Sequence, residues 1–440
     1  MQSRKSTKLV VTHSERATFN ACRKKWDLVY QERLRTIVGS RPLEWGVMLH
    51  AGIEAGYRAA YLLDSPGAAH EEYLLAVASC STLELQRSRL ARAQRGAVAE
   101  LTLLVAEYRS RIASVAWSLP EAEALEADAE KLLEVGSWTL SHFFDRTRHD
   151  LARLVPLAFE LAFEVPAPDS RGRPSALWYT GKIDAVWWDP DSGQVIVDDH
   201  KTTDGDATAT GVERRIQLDP QMSGYLVALR YLARRGDLRP LDGSTVDPER
   251  LAAGVRGWCR YNLVRRSAPR APATNKDGTV SVAAVETTGA LYLAALQAQI
   301  ENTGKSINEK QAAILERLQS QTDRWFSRQE FARTEEDERA WLLDLRSDVK
   351  VLRLAMAQPA LRTRNPGNCT FANSMPCAYR KVCLHDSPET RAGFRIAETA
   401  HEEVTKDGDG RTVGGAEQAT GTEEKGGATS GQTQGPEVGF

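Results

Sequence analysis

The spacing of apolar residues changes twice along the chain and separates helical parts from sheet-forming parts. Residues 70–150 carry Leu, Ala, Glu and Arg at helical spacing, which predicts a helical bundle. From residue 155, segments rich in Val, Ile, Phe, Trp and Tyr alternate with turn residues. This pattern predicts strands at Leu157–Val165, Trp178–Trp188, Gln194–Lys201 and Gly254–Val264. Helical spacing returns at Asp219–Arg234 and again over residues 289–357.

The two ends of the chain differ from this middle part. A basic opening leads into an amphipathic run, Phe19–Tyr30, and Ser14 followed by Glu15 is typical of a helix start before it. Residues 267–280 predict an exposed loop. Residues 400–440 are rich in Gly, Thr, Glu and Gln, with few apolar side chains. Burial there cannot offset the entropy lost on ordering, so we expect this tail to be disordered.

Composition and charge narrow the class of protein. The 440 residues are 42% apolar and 26% charged, as in ordinary globular proteins, and the net charge of −2 leaves no overall basic character. A nucleic-acid-binding face would have to come from local basic clusters, which can equally be solvated surfaces. The two clusters are Arg16, Arg23, Lys24, Lys25, Arg33 and Arg35 near the start, and Arg256, Arg260, Arg265, Arg266 and Arg270 further on.

The sequence also bears on the cellular compartment. No apolar stretch approaches the length of a membrane span, and no apolar core follows the basic N-terminus as in a secretory signal. We therefore expect a cytoplasmic protein without a membrane partner. Because thiols stay reduced there, the six cysteines are candidates for metal ligands or plain burial rather than disulfides.

The clearest candidate chemistry lies in a predicted hairpin, residues 179–203, whose two strands are joined by a turn rich in Asp, Pro and Gly. Side chains alternate between the faces of a strand, so Asp199 and Lys201 point one way and Asp198 and His200 the other. With a four-residue loop, Asp184 lies opposite Asp199. With a loop one residue longer, it lies opposite Asp198 instead.

Two carboxylates about 5 Å apart repel each other, and a divalent cation bound between them removes the repulsion. Oxygen ligands suit Mg²⁺ or Mn²⁺, and a neighbouring lysine can orient water or neutralise charge on a phosphate. Such a set indicates a phosphodiesterase site. A solvent-facing hairpin with ordinary charges has the same pattern, but the apolar run Val195–Val197 favours a partly buried strand end.

These residues and their order resemble the RecB-type branch of the PD-(D/E)XK nucleases. G-K-I-D, followed after about fifteen residues by V-D-D-H-K-T, is similar to that branch. Upstream, the run G-V-M-L-H resembles its helical histidine motif and points to His50. Downstream, Gln221 and Tyr225 resemble its Q-x-x-x-Y motif and share one helix face. A weaker match is Glu160, on a strand that often carries an auxiliary acid.

The resemblance implies an α/β fold of the restriction-endonuclease type, with a central mixed sheet flanked by helices. It implies catalytic roles for Asp184, Asp199 and Lys201. One or two Mg²⁺ or Mn²⁺ ions would be held by His50, the two aspartates and the backbone carbonyl of His200. Gln221 and Tyr225 would contact DNA.

A cysteine group near the C-terminus suggests a second cofactor. Cys369, Cys377 and Cys383 need a fourth ligand to hold either a four-iron cluster or a zinc ion, and Cys22 is the candidate. This arrangement resembles the AddB-type nucleases and the CRISPR-associated RecB-like exonucleases, in which one cysteine before the core and three after it hold a cluster. The resemblance implies a structural [4Fe–4S] cluster, with structural Zn²⁺ as the alternative.

The remaining cysteines and the basic loop give two smaller expectations. Cys80 and Cys259 lie in apolar surroundings and are expected to be buried thiols. The stretch YNLVRRSAPRAP resembles segments of phage-encoded members, so that a basic loop near the phosphate backbone and a phage origin are further expectations.

Together these features predict a metal-dependent DNA exonuclease that acts on single strands or DNA ends in recombination, repair or replication. A catalytically idle DNA-binding module and a structure-specific endonuclease are the alternatives. The predicted organisation is an N-terminal helical segment (1–60), a helical insertion (61–150), the nuclease core (151–265), a basic loop with accessory helices (266–360), the cysteine group (361–395) and the tail (400–440).

Overall fold

A computed structural model describes residues 8–64, 73, 80–114, 119–169, 173–208, 216, 218–283, 286–321, 323–369 and 376–405. In these residues, six strands form one mixed sheet: β1 (Leu9–Thr12), β3 (Val155–Pro168), β4 (Pro174–Asp189), β5 (Gln194–Thr203), β6 (Trp258–Arg265) and β7 (Phe326–Ala332). Strands β2 (Leu34–Thr36) and β8 (Phe394–Ile396) form a separate antiparallel pair.

The helices, in chain order, are α1 (His13–Ala21), α2 (Arg23–Trp26), α3 (Arg41–Ala60), α4 (Thr82–Ala113), α5 (Leu119–Arg153), α6 (Gln221–Arg234), α7 (Pro248–Gly254), α8 (Gly289–Thr303), α9 (Glu309–Ser320), α10 (Glu335–Ala357), α11 (Arg380–Leu384), α12 (Pro388–Arg391) and α13 (Glu402–Thr405). A π-helical turn (Asp27–Gln31) follows α2, and two short 3₁₀ turns (Pro359–Leu361 and Pro366–Asn368) follow α10.

The order of strands in the sheet is β1-β4-β5-β6-β7, and β3 pairs with β4 on its other edge. Strand β4 is antiparallel to β3 and β5, and β6 is antiparallel to β7. Strand β1 runs parallel to β4, and β5 runs parallel to β6, the next strand along the chain. A parallel pair needs a crossover between its strands, and α6 and α7 lie in that connection. The expected central mixed sheet flanked by helices is therefore confirmed.

The sheet separates two apolar cores because neighbouring side chains on each strand point to opposite faces. Trp188 faces the core that contains residues of α6 and α10. Trp187 faces the core formed with α3, α4 and α5. The long helical hairpin of α4 and α5 thus covers one face of the sheet.

A third, smaller core joins the two ends of the described chain. Trp26 and Leu28, which follow α1, pack with Tyr379 and Val382 from the C-terminal part. The β2–β8 pair adds backbone hydrogen bonds between the same two regions. The N- and C-terminal segments therefore form one cap.

Several sequence-based element predictions are wrong. Helix was predicted across 289–357, but β7 interrupts it; this edge strand, FSRQEFA, has few apolar residues and so carried little strand signal. The predicted helix Phe19–Tyr30 is broken at Cys22, whose backbone is extended. Strands β1, β2 and β8 were not predicted, because strands of three or four residues are too short to show a period.

The last helix of the described chain, α13, lies inside the predicted tail. Residues 402–405, which were predicted to belong to a disordered tail, form helix α13, and His401 shares a hydrogen bond of 2.8 Å with Glu15. The rest of that prediction, residues 406–440, lies outside the described residues. Among the helices described, none is both long enough and apolar enough to cross a lipid bilayer.

Candidate active site

The β4–β5 hairpin brings two acidic residues face to face. Its ladder runs from the pair Asp189–Gln194 to the pair Ala185–Asp198. The next residue on each strand is Asp184 on β4 and Asp199 on β5, so the register is the one expected for the four-residue loop. Both carboxylates are buried, with 9% and 1% of their surface exposed.

Helix α3 supplies a histidine to the same place. The Nδ1 atom of His50 lies 3.4 Å from Oδ2 of Asp184. The helix approaches its neighbours closely because Gly52 and Gly56 face α4 and α5; a Cβ at Gly56 would lie 2.3 Å from the ring of Phe144. This close packing fixes the height of His50 above the sheet.

Glu160 on β3 is the third acid of the site. Its neighbours Phe159 and Leu161 pair with Ala185 and Ile183, which puts Glu160 opposite Asp184. Its backbone has a φ of 47°, a left-handed conformation that costs about 1–3 kcal/mol in a residue other than glycine. Such strain is common at functional sites.

In the described part of the chain, one set of three potential ligand groups has its atoms within 4.8 Å of one another: His50, Glu160 and Asp184. The sequence signal for Glu160 is weak, because it consists only of an acid within the apolar strand LAFELAFEV. Nothing local in the sequence indicates the left-handed backbone that turns its side chain into the site. Lys182 of β4 also forms an ion pair with Glu160, at 2.5 Å.

Lys201 completes the site from β5. Its Nζ atom lies 2.7 Å from Oδ2 of Asp199 and donates a hydrogen bond to Oε1 of Gln221 at 3.0 Å. Gln221 in turn donates to the hydroxyl of Tyr225, which donates to the carbonyl of Lys182 at 2.6 Å. Gln221 and Tyr225 thus link Lys201 to β4.

Tyr225 is only 4% exposed, and its hydroxyl is bonded inside the protein. This position does not support the expected direct contact between Tyr225 and DNA. Gln221 is half-buried and holds Lys201 in place.

The side chains on the other face of β5 have different roles from Asp199 and Lys201. Asp198 is fully buried and accepts two hydrogen bonds from Arg260, at 2.5 and 2.7 Å. It is therefore not an alternative metal ligand. His200, whose carbonyl was expected to bind metal, donates its backbone N–H to Oδ2 of Asp184 at 2.6 Å.

The charges of the site shift one another's proton affinity. Burial would lower the pKa of His50, but the charge and hydrogen bond of Asp184, helped by Glu160 and Asp199, raise it to about 9. Burial would likewise raise the pKa of Asp184, but His50 holds it well below its usual range. Burial raises the pKa of Asp199; Lys201 opposes this shift and Asp184 adds to it, and the result is about 7.

These residues fit a divalent cation. Ligand atoms of His50, Glu160 and Asp184 lie within 4.8 Å of one another, and the buried carboxylate of Asp199 is opposite Asp184 in the register of the hairpin. Such a concentration of negative charge is costly without a cation. Within the described residues, Oδ2 of Asp199 is buried and accepts no well-oriented hydrogen bond, although Lys201 lies close to it. Carboxylate oxygens with one imidazole nitrogen are suitable ligands for Mn²⁺ or Mg²⁺.

The four cysteines predicted as ligands lie together at the cap. Cys22, Cys369, Cys377 and Cys383 line one cavity of about 120 Å³. Cys22 occupies the break between α1 and α2, and the side chains of Asn365 and Asn368 donate to the carbonyl of Ala21 beside it. The two other cysteines were both expected to be buried. Cys259 is buried, whereas Cys80 is exposed, and the prediction for Cys80 is therefore wrong.

The two basic clusters do not form continuous exposed tracks. Arg16 is buried and bonded to Asp348, and Arg260 is buried against Asp198. Arg265 and Arg266 are likewise in ion pairs, with Glu286 and Asp204 respectively. The sequence shows the charges but not their partners, which come from distant parts of the chain.

Comparison with known proteins adds one finding. A family model described as the PD-(D/E)XK nuclease superfamily matches residues 10–255, more than half of the chain. A search of curated proteins found no match. The matched segment includes α3 with His50, the β4–β5 hairpin and Gln221. It ends before β6 and before the three C-terminal cysteines.

Proposed function

Because the chain belongs to the PD-(D/E)XK nuclease superfamily, we propose that it is a metal-dependent DNA exonuclease whose active site is built on the β4–β5 hairpin. The observation that carries the proposal is the convergence of His50, Glu160 and Asp184 beside the Asp199–Lys201 pair. The preference for single strands or DNA ends, and a role in recombination, repair or replication, rest on the resemblance to the RecB-type branch.

In this proposal His50, Glu160, Asp184 and Asp199 hold Mg²⁺ or Mn²⁺. The bound cation would polarise a phosphate oxygen and make a water molecule more acidic. Lys201 orients the attacking water and neutralises negative charge that develops on the phosphate. Gln221 keeps the Lys201 amine directed at the site through its 3.0 Å hydrogen bond. Burial of the carboxylates strengthens each of these electrostatic contacts.

The test is the degradation of end-labelled single- and double-stranded DNA by protein purified without oxygen, with Mn²⁺, Mg²⁺ or EDTA. We expect cutting that needs metal, and a loss of about 10²–10³-fold or more in Asp199→Asn and Lys201→Ala. Glu160→Gln should also reduce the rate. Asp191→Asn is the matched control, since Asp191 is an exposed acid in the turn at the far end of the same hairpin.

A circular single-stranded substrate separates the cutting modes, because an exonuclease needs an end. Cutting of the circle would replace the exonuclease proposal with an endonuclease. If folded wild-type protein binds DNA but cuts no substrate with either metal, the catalytic proposal is wrong and the idle DNA-binding module takes its place.

We also propose that the four cysteines hold a structural [4Fe–4S] cluster. The support is that Cys22, from near the start of the chain, and Cys369, Cys377 and Cys383, from near its end, line one cavity. Four thiolates can hold either an iron–sulfur cluster or a tetrahedral zinc ion. The choice of the cluster rests on the resemblance to the AddB-type nucleases.

A further inference from the structure

On the face of β5 opposite to Asp199 and Lys201, six polar side chains form a continuous series of contacts. Asp198 accepts from Nε and Nη2 of Arg260, at 2.5 and 2.7 Å. Nη1 of Arg260 donates to Asp150 of α5 at 3.3 Å. Asp150 lies 2.7 Å from Nη2 of Arg328 on β7.

The series returns to β5 through β6. Nε of Arg328 donates to Oδ1 of Asn262 at 2.7 Å. The Asn262 side-chain nitrogen then lies 3.2 Å from Nδ1 of His200. We call these six residues the polar ring: Asp150, Asp198, His200, Arg260, Asn262 and Arg328. The series of contacts starts at Asp198 and ends at His200, and the backbone of β5 closes it into a ring. Asp198 and His200 are the residues on either side of Asp199.

The hydrogen bonds determine the orientation of the Asn262 amide and the position of the ring hydrogen on His200. An arginine can only donate, so the oxygen of Asn262 must face Arg328 and its NH₂ group must face His200. Nδ1 of His200 therefore accepts, and the ring hydrogen lies on Nε2. Burial lowers the pKa of His200 to about 4, which agrees with a neutral ring. The imidazole also packs edge-on against Phe143, with ring centres 5.2 Å apart.

The polar ring is connected to the metal site through one backbone group. The N–H of His200 donates to Oδ2 of Asp184 at 2.6 Å, and Asp184 is the residue that contacts His50. A rotation of the His200 backbone would therefore move the Asp184 carboxylate and, on the adjacent residue, that of Asp199. Fixing the His200 side chain therefore fixes the positions of both carboxylates.

Stability alone does not account for this arrangement. Asp198 and Asn262 are fully buried, and His200 and Arg260 are each 2% exposed. Well-packed apolar side chains often stabilise a core as well as buried ion pairs do, because removing charges from water is costly. On the same face of β5, apolar packing holds the preceding residue, Ile196. The buried charges on β5 begin at Asp198, directly before the active-site residue Asp199.

We infer that the polar ring positions Asp184 and Asp199 for the cation, with His200 and Asn262 as positioning residues. This inference rests on the proposed function. The inference adds the polar ring to the proposed active site. Three residues of the polar ring lie outside the segment that matches the family: Arg260, Asn262 and Arg328.

The test compares Mn²⁺ binding by folded variants, measured from the electron paramagnetic resonance signal of free Mn²⁺. Asn262→Leu removes the amide at similar size, and His200→Phe removes the nitrogen but keeps an aromatic ring against Phe143. We expect each to weaken Mn²⁺ binding by about 10- to 100-fold. At limiting Mn²⁺, kcat should fall with little change in KM for DNA.

Gln311→Leu is the matched control. Gln311 is a fully buried amide in the α8–α9 helix pair, where it bonds to the carbonyl of Val280 at 2.9 Å and to Gln299 at 2.8 Å. Gln311→Leu makes the same change of amide to leucine far from the polar ring. It should lower the melting temperature of the protein and leave Mn²⁺ binding unchanged.

Three outcomes are distinguishable. Weaker Mn²⁺ binding in Asn262→Leu and His200→Phe, but not in Gln311→Leu, supports the positioning role. Wild-type affinity in folded Asn262→Leu and His200→Phe shows that the polar ring is only structural and overturns the inference, while the proposed function stands. Failure of the wild-type protein itself to bind Mn²⁺ overturns the proposed function and the inference with it.

Discussion

At the scale of single residues, the contact between His50 and Asp184 determines the protonation state of both groups before a metal ion binds. The 3.4 Å contact with Asp184 raises the pKa of His50 to about 9, so the imidazole stays protonated up to about that pH. The same contact lowers the pKa of Asp184 and keeps its carboxylate ionised. An imidazolium has no lone pair for a metal ion, so its proton must leave before His50 can act as a ligand. Metal binding and proton release are therefore coupled.

We expect Mn²⁺ binding at pH 8 to release about one proton, because His50 is protonated at that pH while Asp199, with a pKa of about 7, is already ionised. Below pH 9 the affinity should rise as the pH rises. Calorimetry in buffers of different ionisation enthalpy measures the released proton. His50→Gln, which cannot hold this proton, should release none; binding without release by the wild-type protein would contradict the prediction.

At the scale of elements, the position of His50 depends on how closely α3 packs against the α4–α5 hairpin. Gly56 allows this approach, since any Cβ there would meet the ring of Phe144 at 2.3 Å and the carbonyl of Ala93 at 2.9 Å. The helical insertion predicted for residues 61–150 is thus also a support for a site residue. A larger side chain at the contact must push the helices apart.

Gly56→Leu is expected to destabilise the protein by about 1–3 kcal/mol or more through overpacking, and to weaken Mn²⁺ binding because His50 moves with α3. Urea denaturation and Mn²⁺ titration measure the two effects. Gly393→Ala is the control, because a Cβ at Gly393 meets nothing within 4 Å. Unchanged stability in Gly56→Leu would show that the helices can separate without cost.

At the scale of the whole molecule, the two ends of the chain meet in the cap. Cys22 lies near the start, and Cys369, Cys377 and Cys383 lie 347 to 361 residues later. A cofactor bound to all four joins these segments and restricts the unfolded chain, as any cross-link over a long loop does. The apolar contacts of Trp26 with the C-terminal part act in the same direction.

Cys377→Ala should therefore lose the visible absorbance of an iron–sulfur cluster and lower the free energy of unfolding by about 2–5 kcal/mol, the range for losing a cross-link. Absorbance, iron analysis and thermal melting test this. Cys80→Ala, at an exposed cysteine away from the cavity, should change none of them. Zinc in place of iron in the wild-type protein, or an unchanged melting temperature in Cys377→Ala, would contradict the cluster.

The hairpin, the helical histidine and the order of the motifs could be predicted from the sequence because their signals are local. A turn rich in Asp, Pro and Gly between two apolar runs predicts the hairpin, and strand alternation assigns Asp199 and Lys201 to one face. The choice between the two possible registers came from the structure. The spacing of four between Gln221 and Tyr225 likewise fixes a shared helix face. These relations hold whatever the rest of the chain does.

Only the tertiary structure decided which charges are buried and what they contact. In the sequence, Arg260 belongs to a basic cluster, yet in the structure it is buried against Asp198, next to the active-site strand residue Asp199. Glu160 enters the site through a left-handed backbone that no residue pattern indicates. The physical reason is the same in both cases: burial of a charge depends on partners far away in sequence, and the fold alone brings those partners together.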